Sequence, residues 1–478
     1  MADGADPSGL GEVATLLEGG VTFSDVVHDS RDVRPGCLYV CLRGAAFDGH
    51  DFAAQAVADG AIALLTDHRL DGVGDAAQIV VDDTRRRVGP IASLLNGHPS
   101  GSMTTVGITG TNGKTTTAQL LETIFAANGW ATGVVGTLHG PRTTPEATDL
   151  QRTLRRFVDD GADAAVLEVS SHALALHRAD GTRFDAVVFT NLGHDHLDLH
   201  GSQEAYFRAK ARLFSPDFAP LGLINVDDPY GRLLADTVES DEPGREFRVV
   251  ALTADEISDV EVTATSHRYR WRGFEVAVPI GGHVNVANSL AALVTAVELG
   301  VDPAVAASGL SELAAVPGRF QVVRSDAADR RGITVVVDYA HTPDGLAELL
   351  RSAQSVSRRS VAVVFGCGGE RDRPKRPEMG RAAARLADRV VVTSDNPRRE
   401  DPQQIIDDIL AGVEPEYRHR VVTDADRRSA IRSALDVAEA GDVVVIAGKG
   451  HERVQEYADR TVDFDDVGVA AELLEELA

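Results

Sequence analysis

Gly107-Ile108-Thr109-Gly110-Thr111-Asn112-Gly113-Lys114-Thr115-Thr116-Thr117 decides how the rest of this chain is read. Before it, Met103 to Ile108 is an apolar run short enough for a buried strand. After it, Ala118 to Asn128 places Leu120, Leu121, Ile124 and Phe125 on one helical face ahead of Gly129. Strand, glycine loop and helix together make a phosphate cradle. The glycines let Gly110, Thr111, Asn112 and Gly113 curl so that N–H groups converge on phosphate oxygens. The helix start at Thr115 and Thr116 adds partial positive charge, Lys114 a point charge, and Thr115 a hydroxyl for Mg2+. ATP or GTP is the expected ligand. The common pattern has a glycine six residues before the lysine, where this chain has Ile108, and Gly107 comes one residue too early. The loop is therefore a variant, and a glycine-rich turn without nucleotide is the alternative.

Composition bears on that alternative. Lys plus Arg total 47, yet lysine occurs only at 114, 210, 375 and 449. A chain that uses arginine for surface charge retains lysine where arginine cannot do the chemistry, so all four are candidates for function.

At 478 residues the chain is too long for one core, and about three domains are expected. A hydrophobic content of 43% with 25% charged residues fits a soluble globular enzyme. The sequence has no run of 18 apolar residues and an acidic start without an apolar signal core, so a cytoplasmic enzyme with no membrane partner is expected. Cys37, Cys41 and Cys367 are too few for a disulfide framework and read as small core residues. A net charge of -26 argues against nucleic-acid binding.

Residues 1–98 read as a small α/β unit with strands at Cys37–Leu42 and Ala61–Thr66 and one clear helix, Phe52–Gly60. Gly97 to Ser102 looks like a linker. From the glycine loop onward, strand, loop and helix repeat, which predicts a mostly parallel sheet with helices on both faces. Polar clusters follow the strands: Glu168-Val169-Ser170-Ser171-His172 after Ala164–Leu167, and Thr190-Asn191-Leu192-Gly193-His194-Asp195-His196 after Ala186–Phe189. Ligands lie beyond the carboxyl ends of such strands, so both clusters are expected to face the crevice of the glycine loop. A helix from Ala205 to Phe214 carries Lys210, and another from Ala287 ends near Gly300. Pro317-Gly318 marks a boundary, giving domains at 1–98, 99–317 and 318–478. In the last, Ile333–Val337, Val361–Phe365, Val390–Thr393 and Val443–Ala447 again run into polar motifs, with Thr342 as N-cap and Pro343 in the first helical turn. This second polar edge is expected to close over the first.

Taken together, Gly-Thr-Asn-Gly-Lys-Thr-Thr, Glu-Val-Ser-Ser-His, Thr-Asn-Leu-x-x-Asp-His-Leu-Asp, Ala-Lys-x-x-Leu-Phe, Asp-Tyr-Ala-His-Thr-Pro and Gly-Lys-Gly-His-Glu resemble the Mur ligase family, in order and over essentially the whole chain. The closest resemblance is to its ligases that add the third residue of the peptidoglycan stem peptide to UDP-N-acetylmuramoyl-L-alanyl-D-glutamate. The resemblance implies a uridine-nucleotide-binding domain, a central ATPase domain and a C-terminal Rossmann-like domain for the amino acid. It implies an acyl phosphate formed from ATP, then attack by the incoming amine. By the same resemblance, Glu168 and His196 hold a second Mg2+, Lys210 is carbamylated by CO2, and Lys114, Lys210, His196 and Glu168 form the catalytic set. Asn285, Asn288, Arg319 and Asp338 join the glycine loop in binding ATP. Ser30, Thr143, Thr144, Ser170 and Arg178 bind the UDP-N-acetylmuramoyl-dipeptide.

The family divides chiefly between meso-diaminopimelate and L-lysine as the added amino acid. Asp395-Asn396-Pro397-Arg398 matches the diaminopimelate-type motif, and Arg371, Gly448 and Glu452 are also assigned to that ligand. Arginine suits the extra carboxylate because its fork binds one bidentately. The alternative is that Arg398 caps its strand or pairs with Glu400 or Asp401. Departures from the family pattern are Val284, Leu176 and Arg373-Pro374. A nucleotide-dependent switch protein, L-lysine addition, or a folylpolyglutamate-type or other Mur ligase are the competing readings. A monomer is expected.

Overall fold

The computed structural model describes residues 10–18, 20–44, 47–240 and 247–477. The chain builds successive α/β layers whose main sheets are mostly parallel. Val26–Val27, Leu38–Val40, Ala63–Thr66 and Ala77–Val80 pair in that order, all parallel. Helices Leu10–Glu18 and Thr84–Leu95 accompany Ala53–Ala58, so this unit has three helices among the described residues where the sequence reading expects one. Thr84–Leu95 is masked in sequence by an Arg triplet and an internal Pro90. It forms because Asp83 caps the N–H groups of Arg85 and Arg86, and because it packs along helix Ala147–Asp159 of the next unit.

The expected linker is structured. Pro99–Ser102 is a 3-10 turn with Pro99 and Ser100 buried, and Ser100 Oγ accepts from the Arg183 N–H at 3.0 Å. Small and polar residues there serve tight packing rather than mobility.

The second sheet is six parallel strands in the order Arg248–Leu252, Leu221–Asn225, Ala186–Phe189, Thr104–Thr109, Ala164–Glu168, Thr132–Val135. Thr104–Thr109 sits centrally, buried on both faces, and leads into the glycine loop and helix Lys114–Ala127. Gly107, out of place for the common loop, has a packing role: a Cβ there would lie 3.0 Å from the Phe184 ring. A three-stranded antiparallel sheet, Ile257–Val262, His267–Trp271 and Phe274–Val278, is an addition the sequence reading did not anticipate. It covers helix Val284–Glu298 and joins the core beneath Lys114–Ala127.

The third sheet runs Gln321–Val322, Thr334–Asp338, Val443–Ala447, Val361–Phe365, Arg389–Val392, Val421–Thr423, parallel except at the first pair. Thr342 Oγ1 accepts from the Gly345 N–H at 3.1 Å, and Pro343 opens the helix to Val356, as expected from sequence. Buried Arg427 fixes the top of this sheet. It pairs with Asp466 at 2.7 Å, both fully buried, and donates to the carbonyls of Ser394 and Ala447, where two polar loops begin.

Candidate active site

Strand order reverses around Thr104–Thr109, so the loops after that strand and its two neighbours meet at one crevice. The glycine loop is clamped there. Asn191 Oδ1 accepts the Asn112 N–H at 2.9 Å, and Thr190 Oγ1 donates to the Asn112 carbonyl at 2.6 Å. Gly110, at φ +150°, leaves no room for a side chain, since a Cβ would come within 1.9 Å of Thr190 Oγ1. Helix Lys114–Ala127 starts directly at Lys114, so its first N–H groups have no helical partners.

A cavity of about 230 Å³ opens over this loop. Thr111 to Thr116 form its floor, Asn285 and Asn288 one wall, and Glu168 and Ser170 another. Arg319 and Asp338 face it from the third sheet's side. Asn285 Oδ1 accepts from Asn288 Nδ2 at 3.0 Å, so the two buried amides are fixed relative to one another. Arg319 Nη2 donates to Thr115 Oγ1 at 3.3 Å, and its guanidinium lies 4.6 Å from the Tyr339 ring centre. The last sheet's polar edge thus closes onto the glycine loop, as expected. Asp344 adds a second link by accepting the His194 N–H at 2.7 Å. Burial raises the Asp338 carboxyl above its ordinary range, while its oxygens accept the N–H groups of Phe320 and Ala340.

Glu168 is buried at the end of its strand. It accepts from Thr115 Oγ1 at 2.9 Å, from Thr137 Oγ1 at 3.1 Å and from the Thr137 N–H at 3.0 Å. Thr137 was not singled out by the sequence. His196 has φ +55° and stands edge-on to His172, ring centres 4.5 Å apart. Burial pulls its imidazole down to about 3, so it is neutral near pH 7. A neutral imidazole beside a carboxylate is a competent metal-ligand pair, although imidazole is an unusual ligand for Mg2+.

Lys210 is 1% exposed, and its Nζ donates to the Gly110 carbonyl at 2.8 Å and sits 4.7 Å from the centre of the Tyr206 ring. Burial, with Lys114 nearby, drives its amine well below the ordinary lysine value. Lys114 Nζ donates to the Gly110 and Thr111 carbonyls, at 2.8 and 2.9 Å.

An adjoining cavity of about 290 Å³ shares Asp195, His196, Tyr339 and His341 with the first and reaches Arg371, Asp395, Asn396, Arg398, Gly448 and Glu452. Pro397 follows Asn396 in the same loop but is not part of the lining. Gly448 is required: a Cβ would lie 2.6 Å from Asp395 Oδ2. Fully buried Lys449 donates to Asn396 Oδ1 at 3.0 Å and Glu452 Oε2 at 3.2 Å, locking the two motifs together. Arg398, at φ +53°, pairs with Glu456 at 2.9 Å and donates to the Gly369 carbonyl. Its anticipated alternative partner, Glu400, is held instead by Arg376 and Arg373, and Asp401 caps its own helix. Lys375 lines this cavity as well, so every lysine of the chain belongs to this region.

The residues assigned to the uridine nucleotide are more dispersed. Thr143 and Ser170 line the first cavity. Thr144 lies behind them, donating to the Glu168 carbonyl at 2.9 Å. Arg178 pairs with Glu146 at 2.8 Å. Ser30 is in a 3-10 turn of the first unit, next to the contact of His28 Nδ1 with Thr148 Oγ1 at 2.8 Å. Of the departures, Val284 lines the first cavity, Leu176 ends helix Ser171–Ala175, and Arg373 pairs with Glu400 at 3.0 Å.

Comparison with known proteins agrees with this arrangement. Residues 22–91 match the Mur ligase family catalytic domain, 108–296 the Mur ligase middle domain, and 318–450 the Mur ligase glutamate ligase domain. A UDP-N-acetylmuramoyl-L-alanyl-D-glutamate–2,6-diaminopimelate ligase of Gloeobacter violaceus is 44% identical, covering 95% of this chain and 94% of its own. One of Streptomyces avermitilis is 42% identical over 97% and 94%. A solved structure of a ligase of that name shares 34% identity and a TM-score of 0.66 over 95% of both chains. A MurF ligase from Thermotoga maritima in complex with ADP shares the fold, with a TM-score of 0.64, 21% identity and coverage of 96% and 98%. With its three segments matched in order and its crevice formed between them, the chain belongs to the Mur ligase family.

Proposed function

We propose that this ATP-dependent ligase joins meso-diaminopimelate to UDP-N-acetylmuramoyl-L-alanyl-D-glutamate in peptidoglycan precursor synthesis. The observation that carries the reading is the pair of cavities meeting at Asp195 and His196, one over the glycine loop and one ending at Arg398. The relatives named above support the substrates.

A carboxylate is a poor acyl donor. The D-glutamate carboxylate oxygen therefore bonds to the γ-phosphorus of ATP as the bond to ADP breaks. The amine nitrogen then bonds to the acyl carbon, phosphate leaves, and one amine proton is lost. Lys114 and the first N–H groups of its helix neutralise charge on the transferring phosphoryl group, the dominant contribution in such reactions. Thr111, Asn112, Asn285 and Asn288 position the nucleotide, and Arg319 and Asp338 complete its site from across the crevice. Mg2+ fits Thr115 and Glu168, a buried hydroxyl–carboxylate pair with oxygen ligands, and would supply charge neutralisation at the phosphates. Glu168 and His196, with a carbamate on Lys210, would hold a second ion. Burial and Lys114 favour the unprotonated amine of Lys210, which can bond to CO2 and lose a proton to give that carbamate.

Ser30, Thr143, Thr144, Ser170 and Arg178 take the UDP-sugar dipeptide, and Arg371, Asp395, Asn396, Pro397, Arg398, Gly448 and Glu452 the amino acid. The division 1–98, 99–317 and 318–478 then corresponds to UDP-sugar, ATP and amino-acid domains of a monomeric cytoplasmic enzyme. Mass analysis of product after incubation with ATP, Mg2+, the UDP-dipeptide and meso-diaminopimelate tests the reading. A product heavier by one diaminopimelate residue is expected, and ATP hydrolysis without it would refute it.

A further inference from the structure

Outside the crevice, a compact group of side chains closes one end of the first sheet. His50 is 9% exposed, and its Nδ1 lies 2.5 Å from Asp48 Oδ1. In the tautomer that donates Nδ1–H to that carboxylate, Nε2 carries the lone pair. The opposite nitrogen, Nε2, is buried without a hydrogen-bond partner, 3.2 Å from Asp67 Oδ1. A lone pair and a carboxylate oxygen facing each other at that distance offer two donor atoms to one cation. His68 stacks on His50, ring centres 4.9 Å apart, and presents Nδ1 to the same oxygen at 2.5 Å. Arg43 Nη2 also reaches Asp67, 3.0 Å from Oδ2 and donating to Oδ1 at 3.3 Å.

We propose that His50, Asp67 and His68 bind a divalent transition metal of the zinc class, with Asp48 orienting His50. Two imidazole nitrogens and one carboxylate oxygen, all within 4.8 Å of one another, are a donor set suited to zinc rather than to Mg2+ or Ca2+. Bonds of about 2.0–2.1 Å at tetrahedral angles hold ligands roughly 3.3 Å apart. The His50–Asp67 separation already matches this. His68, whose side chain is 53% exposed, opens to it by a side-chain rotation, and solvent takes the fourth position. A carboxylate behind a ligating histidine fixes its tautomer and strengthens it as a donor. The ion would join the turn Gly49–Phe52 to the end of strand Ala63–Thr66, a structural tie outside the lining of the two crevice cavities.

Full-length protein freed of metal with chelator is titrated with Zn2+ calorimetrically and with Co2+ by visible absorption, beside His68→Ala and Asp48→Asn. The parent is expected to bind one more equivalent than His68→Ala, with a tetrahedral cobalt spectrum that the variant lacks. Asp48→Asn should weaken that equivalent about 10–100-fold. Ligation by His68→Ala at the parental rate shows that its loss of metal is not unfolding. Equal zinc stoichiometry in parent and His68→Ala, including none in either, overturns the proposal.

Discussion

Lys114 and Lys210 donate to one carbonyl oxygen, that of Gly110, each Nζ lying 2.8 Å from it. Two ammonium groups cannot share an acceptor in a buried site without strong repulsion. Burial and Lys114 together hold the Lys210 amine well below the ordinary lysine value, which favours its unprotonated form. An unprotonated amine is the species that reacts with CO2, and the resulting anion would turn repulsion from Lys114 into attraction. Intact mass or diffraction of CO2-equilibrated enzyme is expected to show the carbamate. Lys210→Ala should lose at least about 100-fold in kcat, with partial recovery on adding a short carboxylic acid. A plain amine in active enzyme would refute this.

Lys114 has the complementary role. Its ammonium rests on two loop carbonyls, ready to turn to a phosphate. Lys114→Ala should fold normally yet lose acyl-phosphate formation by about 100-fold or more, measured as isotope exchange or trapping of the acyl phosphate. Near-parental ligation would remove the glycine loop from the mechanism.

The pH dependence of stability is expected to come in part from a group remote from catalysis. His267 is 1% exposed, with Nδ1 2.7 Å from the Ile280 carbonyl and Nε2 2.8 Å from Ser289 Oγ, and burial lowers its imidazole to about 4. The unfolded chain takes up this proton near pH 6.5, whereas the folded chain resists until about 4. Stability is therefore intact above about pH 6.5 and falls between there and 4, by up to about 3 kcal/mol. Denaturant titrations across that window should show the loss, and His267→Gln, though less stable, should show a shallower slope. An unchanged slope would place the acid sensitivity elsewhere.

Much of this site was legible because its residues follow strands that announce themselves. Val361–Phe365 and Val443–Ala447 are apolar throughout, as strands buried on both faces must be, and the structure reproduces their bounds. The motif behind each then falls at a sheet edge automatically. Partners brought in by tertiary packing were not legible. Thr137 reaches Glu168 from 31 positions away, and nothing local marks it. The strand His-Arg-Tyr-Arg-Trp at 267–271 did carry a signal, with alternate residues buried, that motif reading passed over. Lysine scarcity carried further than any single motif, since it pointed to Lys375 and Lys449 before their surroundings were known.

Arg398 is expected to set the choice of amino acid. The residue adopts a left-handed backbone, at a cost of about 1–2 kcal/mol for a side-chain-bearing residue. Glu456 and the Gly369 carbonyl hold its guanidinium at the rim of the second cavity. meso-Diaminopimelate differs from L-lysine by one carboxylate at the far end, which can take the guanidinium's remaining donors. Glu452, fixed by Lys449 and Asn396, is expected to receive the distal ammonium. L-Lysine would leave the arginine without its anion, and sites built around a charge pair reject such analogues strongly. meso-Diaminopimelate should therefore be used at least about 100-fold more efficiently than L-lysine, judged by kcat/KM. Arg398→Ala should remove most of that preference while ATP affinity changes by no more than about twofold, because Arg398 does not line the nucleotide cavity. Equal kcat/KM for the two amino acids in the parent enzyme would overturn the assignment.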